Sequence, residues 1–222
     1  MGIADNLDQV KQSIQQAAQD VERNAGEIEL VAVSKVHVAE TIRPALNAGH
    51  RVFGENRVQE AQGKWPALKD EFSGVCLHLI GGLQTNKVKE AVALFDVIET
   101  VDRPKLARAL AKEMEKQGKQ VGVYLQINTG EEDQKGGCLP GDADEFIKLC
   151  CDELKLPVLG LMCIPPAEEE PSVHFAFLRK LAQRHGLKKL SMGMSGDYET
   201  AIRFGATSVR VGTAIFGERA PH

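Results

Sequence analysis

The sequence lacks a long apolar run and a recognisable leader. No stretch reaches the about 18 consecutive apolar residues of a transmembrane helix, so a helical membrane span is excluded. The first residues contain no basic region followed by an apolar stretch, and we expect no secretory signal. A C-x-x-C motif is also missing, and the five cysteines are scattered and odd in number. Free thiols of this kind are typical of a reducing cytoplasm, where we expect the protein to act.

An excess of basic charge and metal-ligand spacing are absent as well. The formal net charge of −4 leaves no basic footprint for nucleic acid. There is no G-x-x-x-x-G-K-[ST] loop and no serine nucleophile elbow. We predict no metal site, because the following histidines are scattered without ligand spacing: His37, His50, His174, His185 and His222.

The sequence does contain short apolar runs that alternate with stretches of helical character. Eight such alternations predict an α/β fold with a parallel sheet that closes into a single (β/α)₈ TIM barrel. At 222 residues the chain is somewhat shorter than the about 250 typical of that fold. We therefore expect one domain over residues 1–222, with the barrel over 29–217. The predicted strands are Glu29–Ser34, Arg51–Phe53, Val75–Ile80, Asp96–Glu99, Val121–Ile127, Val158–Cys163, Lys189–Met192 and Ser208–Val211.

Helical periodicity predicts the elements around the sheet. Apolar residues recur at helical spacing over 5–24, which predicts an extra N-terminal helix before the barrel. One helix carrying Trp65 should follow the second strand. In the helix after the first strand, Pro44 should lie in the first turn, where a missing donor matters little. Asp102 should cap the helix that Pro104 opens.

Lys35 is the sharpest single candidate for chemistry. It follows the apolar run 30–33 and Ser34, where a barrel strand reaches the active face. A lysine shielded from water there has a depressed pKa and can form an imine with an aldehyde. The alternative is a lysine that turns outward to solvent at the end of a strand.

Two turns rich in small residues follow the last two predicted strands. Residues 191–196 lead into a helix near Asp197, and Gly212 and Thr213 follow the eighth strand. Backbone donors at such helix starts attract phosphate oxygens, and Ser195 adds a hydroxyl. Each turn alone could simply require glycine, but two adjacent ones favour an anion site. A lysine facing a phosphate cradle fits pyridoxal 5′-phosphate (PLP).

Four further residues complete the candidate site. Arg210 alternates with two valines in the eighth strand, so it should face the barrel interior. It then either points at a cofactor ring nitrogen or pairs with an inward carboxylate such as Glu55. Asn56 either donates to the cofactor or caps the next helix. His78 is expected to line the barrel as a partnered histidine, and Met194 to form part of the wall.

Taken together, these residues resemble the family of pyridoxal phosphate homeostasis proteins. The resemblance runs from the first strand to the last few residues, and its last two motifs are the most specific. The motifs are AVSK (32–35), FGENRVQE (53–60), HLIGGLQTNK (78–87), QIN (126–128), GLMCIP (160–165), LSMGMS (190–195) and VRVGTAIFG (209–217).

The resemblance implies a barrel like the N-terminal domain of alanine racemase and a role in buffering or delivering PLP. It implies an imine to Lys35 and an Arg210 that faces the pyridine nitrogen. The phosphate-binding residues it implies are Ser195, Gly212 and Thr213. Gly82 and Gly196 depart from the residues that are common in the family, which affects fine contacts only. The expected partners are PLP and, as recipients, PLP-dependent apoenzymes; we expect a monomer.

Two enzymatic alternatives share these features. A PLP-dependent racemase or decarboxylase would need a second domain and a second catalytic group, and we expect the chain to hold neither. A phosphosugar enzyme would need acid and base residues at several strand ends. Those ends offer mainly Lys35, Asn56 and Asn128. The sequence therefore favours a PLP-binding protein without amino-acid turnover.

Overall fold

The computed structural model describes residues 2–217; Met1 and 218–222, including His222, lie outside the described residues. Its strands are β1 Glu29–Val33, β2 Val52–Glu55, β3 Cys76–Leu79, β4 Val97–Val101, β5 Gly122–Gln126, β6 Val158–Met162, β7 Lys189–Met194 and β8 Ser208–Val211. All neighbours are parallel and follow sequence order, and β1 pairs with β8 to close the barrel. The predicted (β/α)₈ TIM barrel is confirmed.

Helices on the outside connect the strands. Within the described residues they are α1 Ile3–Gln19, α2 Ala39–Asn47, α3 Val58–Gln62, α4 Trp65–Glu71, α5 Val88–Leu94, α6 Pro104–Gln117, α7 Ala143–Lys148, α8 Pro171–Arg184, α9 Tyr198–Arg203 and α10 Thr213–Phe216. The buried apolar faces of these helices pack on the outer face of the sheet in one continuous core. No helix within residues 2–217 is long and apolar enough to cross a membrane.

The N-terminal helix α1 both begins and ends earlier than the predicted 5–24. It begins after Gly2, whose N–H donates to Asp5 at 2.9 Å. It ends before Glu22, which has a positive φ of 56° that a helix cannot accommodate. The helix packs against α9 and α10, and Asn6 donates to the Ile215 carbonyl at 3.0 Å. The extra helix therefore supports the segment that follows the last strand.

Two predicted details near the starts of helices are wrong: the place of Pro44 in α2 and the N-cap of α6. Pro44 lies in the second turn of α2, because the helix begins at Ala39. The carbonyl of the exposed Glu40 thereby loses its helical donor, and water can replace it. Arg103 is the N-cap of α6, because Asp102 directs its carboxylate to the Arg103 guanidinium at 2.5 Å.

The single helix predicted after β2 is two helices. The chain breaks between α3 and α4 at Gly63 and Lys64, directly before Trp65 and Pro66. Pro66 cannot donate to a preceding turn, so α3 cannot continue through it. The break turns Lys64 toward the barrel, where it is only 9% exposed.

Strands β4 and β7 extend beyond their predicted ends. β4 continues to Val101, and β7 continues to Met194 through a shift of register after Ser191. Gly193 provides the shift with a φ of +95°, a conformation that favours glycine. As a result Glu99 lies within a strand, and both Glu99 and Ser191 have buried side chains inside the barrel.

Candidate functional site

A cavity of about 360 Å³ opens at the carboxyl end of the barrel. Its volume falls within the about 300–1,000 Å³ of small-molecule sites. Seven of the eight predicted site residues line it: Lys35, Asn56, Met194, Ser195, Arg210, Gly212 and Thr213. The remaining lining residues are Val33, Val36, His37, Ile80, Ile164, Gly196 and Gly217. The barrel topology thus brings residues as far apart in the sequence as Val33 and Gly217 to one mouth.

Lys35 lies in a tight turn between β1 and α2. The Ser34 carbonyl accepts the N–H of His37 at 3.2 Å, which closes the turn around Lys35 and Val36. The lysine is half-buried rather than buried as predicted, because the turn carries it beyond Val33 to the open mouth. Val36 has a φ of +63°, which is rare for a β-branched residue.

A buried ammonium group holds this turn from behind. Lys64 Nζ donates to the carbonyls of Ser34 at 3.0 Å and His37 at 2.8 Å, on either side of Lys35. It also lies 2.9 Å from Glu60 Oε1, which accepts the N–H of Val36 at 2.5 Å. Partial burial works in the opposite direction, but these two hydrogen bonds lower the pKa of Glu60.

Glu55 is the second carboxylate behind the turn. Its Oε1 accepts hydrogen bonds from Ser34 Oγ at 2.6 Å and from Trp65 Nε1 at 2.9 Å. The same oxygen lies 2.9 Å from Lys64 Nζ. Complete burial raises the pKa of Glu55, and the charge of Lys64 opposes that rise. Glu55 is the example that the sequence suggests of an inward carboxylate paired with Arg210, and that example is wrong, because Glu55 pairs with Lys64.

Arg210 is almost fully buried and still reaches the cavity. Its guanidinium donates to Ser191 Oγ at 2.5 Å and to the Cys163 carbonyl at 2.9 Å. Its carboxylate partner is Glu99, at 3.6 Å. These contacts fix the plane of the guanidinium beneath the mouth.

Glu99 is the shared anion of the barrel interior. Its Oε2 accepts Ser191 Oγ at 2.5 Å, and its Oε1 lies 2.7 Å from His78 Nδ1. Burial favours the protonated form, but the hydrogen bond and charge of His78 together with the charge of Arg210 lower the pKa of Glu99. Glu99 is therefore a carboxylate held between two cations.

His78 lies deeper in the barrel and does not line the cavity. Its Nε2 is directed toward Glu29, 3.9 Å away at the amino end of β1. Burial opposes the charged ring, yet the neighbouring Cys76 and the hydrogen bond with Glu99 raise the pKa of His78 to about 10. The structure therefore connects His78 to the mouth only through Glu99 and Arg210, instead of placing it among the lining residues.

The loops after β7 and β8 form one end of the cavity. The N–H of Gly212 donates to Ser195 Oγ at 3.3 Å, which joins the two loops. Ser195 and Thr213 are exposed at the mouth, and Thr213 begins α10, whose first N–H groups have no acceptor within the helix. A Cβ on Gly196 would meet nothing within 4 Å, so this end has room for an anion.

Asn56 and Met194 line other parts of the wall. Asn56 is half-buried, and the N-cap of α3 is Arg57, so the prediction that Asn56 caps the helix is wrong. Gly81 packs directly against the Asn56 carbonyl, where a Cβ would collide with the oxygen. Met194 lies on the rim and is 39% exposed.

Four residues in or behind the site were not predicted from the sequence: His37, Glu60, Lys64 and Glu99. Lys64 follows Ala61 and precedes Leu68 at helical spacing, so a charge on the buried face was a usable signal. Glu99 is a carboxylate within an apolar run, but the predicted strand ends at Glu99 itself. Glu60 carries no such signal. His37 lines the cavity and packs its ring on Phe216, with centroids 5.2 Å apart.

Comparisons with known proteins agree on one family. Residues 6–220 match the model of the alanine racemase N-terminal domain. The pyridoxal phosphate homeostasis protein of Aquifex aeolicus (strain VF5) is 39% identical over 99% of both chains. The protein of the same name from Escherichia coli (strain K12) is 39% identical over 98% of this chain and 97% of its own.

Solved structures give the same picture. PipY of Synechococcus elongatus PCC7942, solved with PLP bound, is 35% identical with a TM-score of 0.85, covering 97% of this chain and 100% of its own. Alanine racemase from Corynebacterium glutamicum is 19% identical with a TM-score of 0.72. That match covers 99% of this chain and 61% of the racemase, and it bears on the fold alone.

Proposed function

The chain belongs to the family of pyridoxal phosphate homeostasis proteins, and from that premise we propose that it binds PLP at the barrel mouth and buffers or delivers it inside the cell. One observation carries the proposal. The cavity combines the amine of Lys35, the anion donors around Ser195 and Thr213, and the guanidinium of Arg210. PLP supplies an aldehyde, a phosphate and a pyridine nitrogen, so this donor set fits it group by group.

Lys35 is the residue that holds the aldehyde. It is the one lysine among the lining residues, and its turn fixes the backbone from both sides. Primary amines condense with aldehydes, which gives a covalent but reversible attachment suited to storage.

The phosphate lies at the loops after β7 and β8. Ser195 and Thr213 contribute hydroxyls, and the start of α10 contributes backbone N–H groups. Gly196 leaves open space beside them. The phosphate takes no part in the covalent step, so it gives affinity and orientation.

Arg210 faces the pyridine nitrogen. An arginine is always charged and can only donate hydrogen bonds, so a ring nitrogen facing it must accept and carries no proton. An unprotonated ring withdraws electrons poorly from an attached amino acid. We propose that the protein does not turn over amino acids for this reason.

The positions of the tyrosines also favour binding without turnover. The chain has two tyrosines, and both are buried outside the mouth: Tyr124 in β5 and Tyr198 at the start of α9. Neither is among the lining residues, so the cavity wall offers no tyrosine hydroxyl to a ligand held by Lys35. Turnover of L- or D-amino acids at about 1 s⁻¹ or faster, measured by chiral chromatography, would contradict the proposal.

The rim of the mouth favours handover of PLP to PLP-dependent apoenzymes by a monomeric donor. The exposed large hydrophobic residues of the described chain all lie at the carboxyl end of the barrel, on loops, at helix starts or at the end of a strand: Val36, Val38, Leu139, Val173 and Met194. Apolar side chains exposed on the same side of the barrel as the site offer contact to another protein. Sedimentation of the protein alone should give the mass of one chain.

Absorbance before and after borohydride tests the proposal. Purified protein incubated with PLP should become yellow, and borohydride should fix the cofactor to the peptide that contains Lys35. A Lys35→Ala variant should show neither result. Wild-type protein that takes up no PLP, or fixes it at another lysine, would contradict the assignment.

A further inference from the structure

The lysine turn contains a strained residue that the cavity does not explain. Val36 has a φ of +63° at the third position of the turn that runs from Ser34 to His37. This position of a type II turn normally takes glycine or asparagine, because a side chain is strained there. A β-branched residue in this region persists only when its surroundings impose the conformation.

Lys64 and Glu60 impose it. The Lys64 ammonium binds the carbonyls at the start and end of the turn, 3.0 Å from Ser34 and 2.8 Å from His37. Glu60 accepts the N–H of Val36 at 2.5 Å and pairs with Lys64 at 2.9 Å. Every residue of the turn except Lys35 is therefore held through its main chain by this pair.

We propose that Lys64 and Glu60 are positioning residues, which hold the turn in the conformation that aims the Lys35 amine at the aldehyde. Neither lines the cavity, so neither contacts a bound ligand directly. The inference rests on the proposed function. In the step concerned, the lysine nitrogen bonds to the aldehyde carbon, and the aldehyde oxygen leaves with two hydrogens as water. Misplacing a reacting group by about 1 Å can cost on the order of a hundredfold.

Two ligands distinguish positioning of the Lys35 amine from general stabilisation of the cavity. PLP can condense with Lys35, whereas its alcohol analogue, pyridoxine 5′-phosphate, has the same ring and phosphate but no aldehyde. We expect Lys64→Met to weaken PLP binding about ten- to hundredfold and to leave binding of the alcohol close to wild type. Absorbance titration measures the first, and calorimetry measures the second.

Lys69→Met is the matched control. Lys69 lies in α4, whose N-cap is Lys64, and makes an ion pair with Asp96 at 2.7 Å and a hydrogen bond to the Leu94 carbonyl at 3.1 Å, but it does not approach the turn. The Lys69→Met variant should be less stable than wild type but should show no selective loss of PLP affinity relative to the alcohol. Glu60→Gln retains an acceptor for Val36 and should give a smaller selective loss, which keeps the test usable if Lys64→Met does not fold.

Rescue by glycine completes the test. Glycine takes a positive φ without strain, so Val36→Gly added to Lys64→Met, or to Glu60→Gln, should restore part of the PLP affinity. Equal losses for PLP and the alcohol, or no loss of PLP, would overturn the positioning role. Wild-type protein that binds the alcohol but never forms the covalent adduct would instead refute the proposed function.

Discussion

Arg210 is both a partner of buried groups and part of the cavity wall. It is paired with Glu99, Ser191 and the Cys163 carbonyl, and it still lines the mouth. The alternation of β8 predicts its inward direction, but its partners come from β4, β7 and the end of β6. The position of the Arg210 guanidinium at the mouth therefore depends on the buried groups behind it.

Removing the charge of Glu99 should be costly. Glu99→Gln leaves the Arg210 and His78 cations facing each other without the anion between them, and breaking a buried pair costs about 3–5 kcal/mol. Urea unfolding measures the loss. The exposed Glu115→Gln should stay within about 0.5 kcal/mol of wild type. An unchanged midpoint for Glu99→Gln would show that the interior charges are not coupled.

The hydroxyls at the loops after β7 and β8 should act only through the phosphate. Losing one hydrogen bond to a charged group costs about 1.5–3 kcal/mol, roughly ten- to hundredfold in affinity. We expect such losses of PLP binding in Ser195→Ala and Thr213→Val. Pyridoxal, which has no phosphate, should bind both variants as it binds wild type. An equal loss for pyridoxal would place these hydroxyls elsewhere on the ligand.

At the scale of elements, β7 shows how one glycine sets the position of a loop. Gly193 has a φ of +95°, and a Cβ there would lie 2.6 Å from the Ala201 Cβ of α9. Gly49 has a similar φ of +84°, but a Cβ there would meet nothing within 4 Å. A comparison of substitutions at the two glycines therefore distinguishes the cost of backbone strain from the cost of overpacking.

Gly193→Ala should therefore destabilise the protein more than Gly49→Ala. Both add strain, and Gly193→Ala adds overpacking that costs about 1–3 kcal/mol more. Because β7 carries Ser195 just beyond its end, PLP affinity should also fall in Gly193→Ala alone. Thermal unfolding and absorbance titration check the two effects. Equal losses of stability in the two variants would mean that α9 yields without cost.

The elements were predictable where local pattern determines them. The alternation of apolar runs and helical stretches predicted all eight strands and the barrel. It did not predict the continuation of β7, because the register shift depends on the packing of Gly193 against α9. It also missed the break before α4, although Pro66 is a local signal for one.

At the scale of the whole molecule, topology made the mouth predictable and the interior not. Parallel strands bring their carboxyl ends together, so Lys35, Asn56 and Arg210 could be assigned to one site from order alone. The chain of contacts from His78 through Glu99 joins β3, β4, β7 and β8 across the barrel. Such cross-barrel pairing leaves no mark in local periodicity.

Two buried histidines with opposite shifts should place maximum stability near pH 6.5. The pKa of His78 is raised to about 10, so above about 6.5 the folded state keeps a proton that the unfolded state has lost. Stability should fall as pH rises through that window. Burial lowers the pKa of His50 to about 4, so its unfolded state gains the proton first as pH falls below about 6.5. Stability should fall in that direction too.

Urea unfolding between about pH 5 and 7.5 measures both limbs, with each limb contributing at most about 1.4 kcal/mol per pH unit. The upper limit stays below the titration of the cysteines in the unfolded chain, which is centred at about 8.5. Burial raises the pKa of Cys138 to about 11 and of Cys150 and Cys163 to about 12, so stability should fall further once that titration begins. His78→Asn should flatten the alkaline limb and keep the acid limb, which serves as the internal control. An alkaline limb of unchanged slope in that variant would mean that His78 does not hold its proton beside Glu99. Glu99 would then be paired with the Arg210 cation alone, and His78 would be neutral in the folded protein.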